Sequence, residues 1–213
     1  MLHTSAVRLH LLSAIFAASL TALAPVAANA QATGQQVQAR VVTQNVSDGA
    51  LTTLRGGTPP LIALSQDNGA LPDSTPANRM LLVLKRSDAQ ETQLQQTLAE
   101  LHDPASALYH RWLTPDAFGS QFGPADADIQ AVTTWLASQG FSVGKVARGK
   151  ATIEFSGTAG QVRNSFHTEL HAYTHQGVVF HSNDRDPQIP AALASVVAGL
   201  ASTNDIQIGR AHV

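Results

Sequence analysis

Apolar residues recur along the chain with two periods, one typical of strands and one typical of helices. Runs that are continuously apolar, or that alternate with polar residues, predict strands. They lie at 80–85, 141–143, 151–155, 167–173, 178–181 and 196–200. Two connections are short enough for hairpins, at 147–150 and at His175-Gln176-Gly177. We therefore predict a sheet in which neighbouring strands are mostly antiparallel.

The first helical segment has a clear beginning and end. Its apolar face is formed by Leu94, Leu98 and Leu101. A capping box from Ser87 with Gln90, or from Asp88 with Glu91, can begin the helix. The dipeptide Asp103-Pro104 ends it, because proline cannot continue a helix.

Two further segments show the same spacing. The segment 124–139 is predicted to bury Ile129, Val132 and Leu136, with Trp135 beside them. Asp126 and Asp128 lie near its positive N-terminal end. Thr158 and Gln161 form a capping box before a short helix. That helix is predicted to bury Val162 and Phe166.

The order of these elements predicts the fold class. Residues 41–54 could supply an edge strand, whereas 51–60 and 66–72 have the composition of turn-rich loops. Strands and helices interleave, and several strands are joined by tight turns. This pattern predicts an α+β fold, a mostly antiparallel sheet with helices packed on one face.

Aromatic residues concentrate in one window. The chain has seven Phe, two Trp and two Tyr, and four of these eleven lie within 109–124. They are Tyr109, Trp112, Phe118 and Phe122. Thr114 and Pro115 can begin a short helix that Gly119 can end. We expect the aromatic side chains to pack together around this helix.

A longer ordered pattern surrounds the window. It comprises Leu101-His102-Asp103-Pro104, Tyr109-His110-Arg111-Trp112-Leu113-Thr114-Pro115, Phe118 and Phe122-Gly123-Pro124. This pattern resembles the activation propeptide of the sedolisins, the secreted serine-carboxyl peptidases that include kumamolisin, and the resemblance spans roughly Val41 to Gln207. It implies a ferredoxin-like arrangement of the kind found in protease propeptides. It also implies an intramolecular inhibitor and folding assistant whose partner is its own catalytic domain, with calcium expected only in that domain.

The chain ends carry different signals. Arg8 precedes an apolar run at 11–20, and Ala28-Asn29-Ala30 offers a signal-peptidase site, so 1–30 is predicted to be a signal peptide rather than a membrane anchor. The polar segment 31–40 is expected to be disordered. Residues 208–213 match a translated sequencing adapter, which leaves 41–207 as the expected propeptide domain. We therefore expect a secreted protein, extracellular or periplasmic after cleavage near Ala30, with no stable membrane association after signal removal.

Composition restricts the partners further. Only 13% of the residues are charged and the net charge is −2, so no nucleic-acid partner is expected. The chain has no cysteine, which excludes disulfides and thiolate metal sites. The hydrophobic fraction of 44% is ordinary for a globular domain.

Candidate catalytic groups are few. Ser156-Gly157-Thr158 resembles the Ser-Gly-Thr-Ser nucleophile motif of sedolisin catalytic domains, but Ala159 stands where the nucleophilic serine belongs. Thr158 is therefore interpreted as a helix cap, and Asp126 and Asp128 as ordinary acids at a helix N-terminus. We predict no catalytic, cofactor-binding or metal-binding residue in this chain, and no cofactor.

Three histidines leave alternatives open. His167, His171 and His181 lie close in sequence, which makes a metal site conceivable, although ordinary imidazoles are favoured. A second hypothesis is that their protonation below about pH 6.5 loosens the propeptide from its enzyme. For the whole chain, the alternative to a propeptide is a freestanding secreted protease inhibitor or binding module with the same fold.

Overall fold

A computed structural model describes residues 41–206. The predicted signal peptide at 1–30, the predicted disordered segment at 31–40 and the predicted tail at 208–213 lie outside the described residues. The strands are β1 Leu51–Thr53, β2 Gln66–Ala70, β3 Pro76–Leu84, β4 Ser142–Val146, β5 Thr152–Thr158, β6 Leu170–His175, β7 Val178–Asn183, β8 Gln188–Pro190 and β9 Val197–Ala201. The α-helices are α1 Asp88–His102, α2 Pro115–Phe122, α3 Asp126–Ser138 and α4 Ala159–Phe166. Two short 3-10 helices lie at Pro60–Leu64 and Ala191–Leu193.

The strands of the described part form three sheets. Four strands lie in the order β4-β5-β3-β9, three in the order β2-β6-β7, and β1 pairs with β8. Every pair of neighbours is antiparallel. The predicted α+β class with mostly antiparallel strands is confirmed, and the ferredoxin-like arrangement stays a prediction.

The main core lies on one face of the four-stranded sheet. The register places Met80 opposite Phe155 and Leu82 opposite Ile153, and all four side chains are buried. Helices α3 and α4 cover this face with Ile129, Val132, Trp135, Leu136, Val162 and Phe166. The predicted buried stripes of both helices are thus confirmed. Each such side chain contributes roughly 1.5–3 kcal/mol by leaving water.

Local caps begin three helices as predicted. The Gln90 N–H donates to the Ser87 hydroxyl at 3.3 Å, and the Ser87 N–H donates to the Gln90 side chain at 2.8 Å. Thr158 and Gln161 make the same reciprocal pair at the start of α4. The Thr114 hydroxyl accepts the Ala117 N–H and begins α2. In each case a side chain accepts a hydrogen bond from a backbone N–H that has no acceptor within the helix.

Two expectations about helices are corrected. Leu98 is 38% exposed, so only Leu94 and Leu101 are buried on the apolar face of α1. Gly119 does not end α2, which continues to Phe122. A Cβ at Gly119 would lie 2.4 Å from the carbonyl oxygen of Arg148, so this glycine allows a close backbone approach instead.

One expectation about loops is also corrected. The segment predicted as a loop at 66–72 contains β2, in which Gln66 pairs with Thr174 and Asp67 with Tyr173. Its sequence is polar and carries no alternating pattern, so the pairing comes from β6. The predicted edge strand within 41–54 is reduced to β1. The hairpin β6–β7 turns at Gln176 and Gly177, as predicted.

Candidate functional site

The segment that follows α1 forms a surface loop whose turns are closed by hydrogen bonds. We call residues 102–112, which include the last residue of α1, the aromatic loop. Its backbone turns repeatedly on itself, since the Tyr109 N–H donates to the Ser106 carbonyl at 3.2 Å and the Arg111 N–H to the Leu108 carbonyl at 2.9 Å. The His110 N–H donates back to the Leu101 carbonyl at 3.1 Å, which ties the loop to the end of α1.

The rings of this loop stack on one another at the surface. The ring centroids of Tyr109 and His110 lie 3.8 Å apart, and those of His110 and Trp112 lie 5.7 Å apart. His102 contacts the Trp112 ring edge-on at 5.5 Å. Trp112 is nevertheless 61% exposed, and Tyr109 and Leu108 are exposed as well. The expected packing of aromatic side chains around α2 is found for Phe118 and Phe122, whose ring centroids lie 5.5 Å apart, whereas Tyr109 and Trp112 stack on His110 at the surface.

Helix α2 fixes the other end of the loop. Phe122 is buried, and the Arg86 guanidinium lies 5.4 Å from the centre of the Phe118 ring. Arg148 makes a bidentate ion pair with Asp116, and its hydrogen bond lowers the pKa of that carboxyl group. Gln90 of α1 donates to the Gly123 carbonyl at 2.8 Å. The loop is thus held between two anchored helices.

Such an arrangement is suited to contact with another protein. Trp and Tyr supply large contact areas with few rotatable bonds, and they are enriched among the residues that dominate binding energies. The loop's backbone and stacking contacts already restrict these side chains, so little further ordering is needed when a partner covers them. The aromatic loop is therefore the best candidate for the functional surface.

The serine motif has a structural role. The Ser156 hydroxyl accepts the Arg79 N–H at 2.9 Å, and Thr158 caps α4. A Cβ at Gly157 would lie 2.5 Å from the Phe141 ring, so the turn is closely packed. The interpretation of Thr158 as a cap is confirmed.

The two acids of α3 differ from each other. The Asp126 side chain is 87% exposed and lies 2.6 Å from the Lys150 ammonium. Asp128 is 1% exposed, and its carboxylate accepts the N–H groups of Val41 and Val42 at distances of 2.8 to 3.1 Å. Asp128 therefore fastens the arm that precedes β1 to the start of α3. The position of Asp128 two residues after Asp126 gave no indication of this role in the sequence.

The three histidines have separate surroundings. His171 lies 2.9 Å from Asp67 on β2 and 3.4 Å from Glu169, whereas His181 contacts Asp205. His167 is the left-handed residue that ends α4. Within residues 41–206, no cluster of three or more His, Cys, Asp or Glu side chains is placed to hold a metal ion.

His171 bears on the pH hypothesis. Burial lowers the pKa of His171, but the hydrogen bonds to Asp67 and Glu169 outweigh burial, so this pKa lies above its usual value. The charged form is thus favoured by the folded domain. Protonation of His171 strengthens the contact between β2 and β6, and the loosening of the domain from an enzyme stays a prediction.

The described part of the chain also bears on membrane association. Between residues 41 and 206, no helix combines the length and hydrophobicity needed to cross a membrane.

The aromatic loop offers exposed rings suited to contact with another protein, and comparison with known families identifies the kind of domain that carries it. A family model described as "Pro-kumamolisin, activation domain" matches residues 64–206. The match covers more than half of the chain, so the chain belongs to the Pro-kumamolisin activation domain family.

Individual relatives agree with this assignment. Xanthomonalisin from Xanthomonas sp. (strain T-22) is 33% identical over 127 residues, which are 60% of this chain and 15% of that protein. Sedolisin from Pseudomonas sp. (strain 101) is 31% identical over 122 residues, 57% of this chain and 20% of that protein. Tripeptidyl-peptidase sed1 from Aspergillus fumigatus is 30% identical over 82 residues, 38% of this chain and 13% of that protein. The chain thus matches a fifth or less of the length of each of these relatives.

Proposed function

We propose that this domain is the activation propeptide of a secreted sedolisin-type serine-carboxyl endopeptidase, acting as its intramolecular inhibitor and folding assistant. The observation that supports this most directly is the match of residues 64–206 to an activation domain. The partner is the catalytic domain of the same polypeptide, and any calcium belongs to that domain. The predicted signal at 1–30 directs the protein to the periplasm or the exterior.

The aromatic loop supplies the contact on which the inhibition depends. Trp112 offers its ring to a partner while the stacked His110 and Tyr109 restrict its orientation. Covering this surface removes apolar area from water without disturbing the core, because the main core lies on the four-stranded sheet. The docked domain covers the active site until the connecting segment is cut.

Inhibition of a related peptidase tests the proposal. Purified chain is mixed with the mature peptidase of xanthomonalisin, and the initial rate of peptide hydrolysis is measured against chain concentration. We expect saturable inhibition, which the Trp112→Ala substitution weakens by roughly 10- to 100-fold because a central aromatic contact is lost. Leu64→Ala removes another exposed apolar side chain, 75% exposed and outside the loop, and should leave inhibition unchanged.

The fate of the chain separates the two readings of the function. A propeptide is cut slowly by the peptidase that it inhibits, whereas a freestanding inhibitor stays intact at the end of the assay. Mass spectrometry of the mixture gives the answer. Absence of inhibition at micromolar concentrations, or equal inhibition by the Trp112→Ala chain, contradicts the proposed docking.

A further inference from the structure

One residue that follows β9 covers part of the outer edge of β7, the edge that does not face β6. The Asp205 carboxylate accepts the His181 N–H at 2.5 Å, and the Asp205 N–H donates to the His181 carbonyl at 3.2 Å. Nδ1 of His181 lies 2.8 Å from the second carboxylate oxygen. Asp205 thus occupies both backbone groups of His181 through hydrogen bonds that a neighbouring strand could otherwise make.

A buried contact holds the residues before Asp205 in place. The Thr203 hydroxyl donates to the Asn183 side-chain oxygen at 3.0 Å, and both residues are buried. The Asn183 amide in turn donates to the carbonyls of Gly57 at 3.1 Å and Arg185 at 2.9 Å. Buried polar groups that lose their partners carry a desolvation penalty, so the folded domain maintains this contact. Asp205 is therefore positioned by the fold.

The hairpin register decides which residues of β7 face outward. The turn at Gln176 and Gly177 pairs His175 with Val178, and hydrogen-bonded pairs alternate with outward-facing residues along an antiparallel ladder. Val179 and His181 therefore direct their N–H and carbonyl groups away from β6. Among residues 41–206, no strand pairs with β7 on that side.

The composition of β7 does not protect this edge. The strand Val178–Asn183 contains no Lys, Arg, Asp, Glu or Pro, and the Val178 and Val179 side chains are 64% and 62% exposed. Charged side chains and irregular pairing commonly protect exposed edges. Strand β4 has both, since it contains Lys145 and its register with β5 shifts. On β7, the protecting group is the Asp205 carboxylate, which comes from outside the strand.

A second copy of this chain is the partner that fits the edge. Two β7 strands can pair antiparallel about a twofold axis, so that each supplies the donors and acceptors that the other lacks. Neither strand contains a charged Lys, Arg, Asp or Glu that would repel its copy. Every such register that pairs more than one outward-facing residue of β7 uses His181, whose backbone groups Asp205 occupies.

We propose that β7 is a self-association surface that Asp205 keeps closed, and that loss of the Asp205 contacts allows β7 to pair with β7 of a second copy. The pairing joins two three-stranded sheets into one continuous sheet and covers the exposed side chains of Val178 and Val179. The interface is small, below about 1,200 Å², so the dimer is weak and its population depends on concentration.

The consequence for maturation rests on the proposed function. While the segment after β9 is intact, Asp205 keeps the domain monomeric, and its own catalytic domain meets no competing copy. A cut between Ala201 and Asp205 removes the contact. A propeptide released by such a cut therefore self-associates, whereas one that keeps Asp205 stays monomeric.

Sedimentation velocity and amide hydrogen exchange on the full chain test the proposal. Asp205→Pro removes both the carboxylate and the N–H that contact His181. Ile206→Pro is the matched control, because the N–H of Ile206 has no hydrogen-bond acceptor among residues 41–206. The Ile206→Pro chain should sediment as the unaltered chain does, whereas the Asp205→Pro chain should form dimers as its concentration rises.

Amide exchange measured by mass spectrometry on peptides that contain β7 locates the association. In the unaltered chain, protection of β7 should be independent of concentration, because Asp205 supplies it within the molecule. In the Asp205→Pro chain, the outward amides of β7 should exchange at least about tenfold more slowly at near-millimolar than at low micromolar concentration. Adding Val179→Lys to this chain should abolish the dimer, because a charged edge resists pairing with its copy.

Three results overturn the proposal, each in an Asp205→Pro chain whose β3 and β5 amides remain protected and show it to be folded. The first is β7 amides that exchange rapidly at every concentration. The second is β7 amides that stay as protected as in the unaltered chain at every concentration, because the chain itself then covers the edge. The third is association that persists when Val179→Lys is added. No peptidase is used, so failure here leaves the proposed inhibition standing, and failure of inhibition leaves the self-association standing.

Discussion

Two groups of aromatic rings in this domain lie at similar distances from one another but are buried differently. In the main core, Phe141, Phe155, Phe166 and Trp135 contact one another with centroids 5.1 to 5.8 Å apart, and each is at most 5% exposed. In the aromatic loop, the rings stack at 3.8 to 5.7 Å, yet Trp112 is 61% exposed. Contacts between rings restrict motion in both places, but only the core rings gain free energy from leaving water. The loop keeps its apolar area available for a partner.

The largest expected effect comes from truncating one ring in each group. Phe166→Ala removes a fully buried ring that contacts Trp135, Phe141 and Phe155, and should lower the free energy of unfolding by about 3–5 kcal/mol. Trp112→Ala should change it by less than about 0.5 kcal/mol, because surface substitutions away from special features have small effects. Urea unfolding followed by circular dichroism measures both. Similar losses in the two variants would show that the loop belongs to the core.

The next comparison concerns two acids of the same helix turn. Asp128→Ala leaves the N–H groups of Val41 and of the buried Val42 without acceptors and should cost about 1–3 kcal/mol of unfolding free energy. Asp126→Ala removes an exposed ion pair with Lys150 and should cost less than about 1 kcal/mol.

Denaturant unfolding of the two single variants checks this expectation. Amide hydrogen exchange monitors the arm that precedes β1. The Val42 amide should lose protection only in the Asp128 variant. Equal losses of stability would mean that both acids act merely through the positive end of α3.

The smallest expected effect is the pH dependence of the contact between β2 and β6. Because the folded pKa of His171 lies above the unfolded value of about 6.5, its contribution is complete below about pH 6.5 and is lost as the pH rises through the folded value. The hydrogen bond from the Gly69 N–H, and to a smaller extent the one from His171, lowers the pKa of Asp67. That carboxylate therefore contributes to folding stability above about pH 3.9, and the contribution fades in stronger acid. The pair is therefore strongest between about pH 4 and pH 6.5.

Unfolding free energies of the unaltered chain and of His171→Gln, measured from pH 5 to pH 8, test this sign. The advantage of the unaltered chain should shrink with rising pH, by no more than about 1 kcal/mol, because solvent screens the half-exposed Asp67 carboxylate. His175→Gln is the control, since the His175 ring contacts the Leu64 carbonyl instead of a carboxylate. A stability advantage of the unaltered chain that grows with rising pH would contradict the raised pKa of His171 in the folded domain.

Much of the fold could be predicted from local signals. The capping boxes at Ser87 and Thr158 and the buried stripe of α3 depend on residues within a few positions of each other, and the structure confirms them. Composition identifies the aromatic window, but it does not predict that Phe122 is buried and that Trp112 is exposed. Composition counts apolar side chains, whereas burial depends on whether another element covers them.

The sequence by itself determined the helix starts, the core strands β3 and β5 and the antiparallel α+β class, because periodicity and caps act over one or two turns of chain. Only the tertiary structure decided that Trp112 stays outside, that the polar segment β2 becomes a strand, and that Asp128 fastens an arm 87 positions away. Each of these depends on which distant segments meet, and sequence spacing does not encode that information locally.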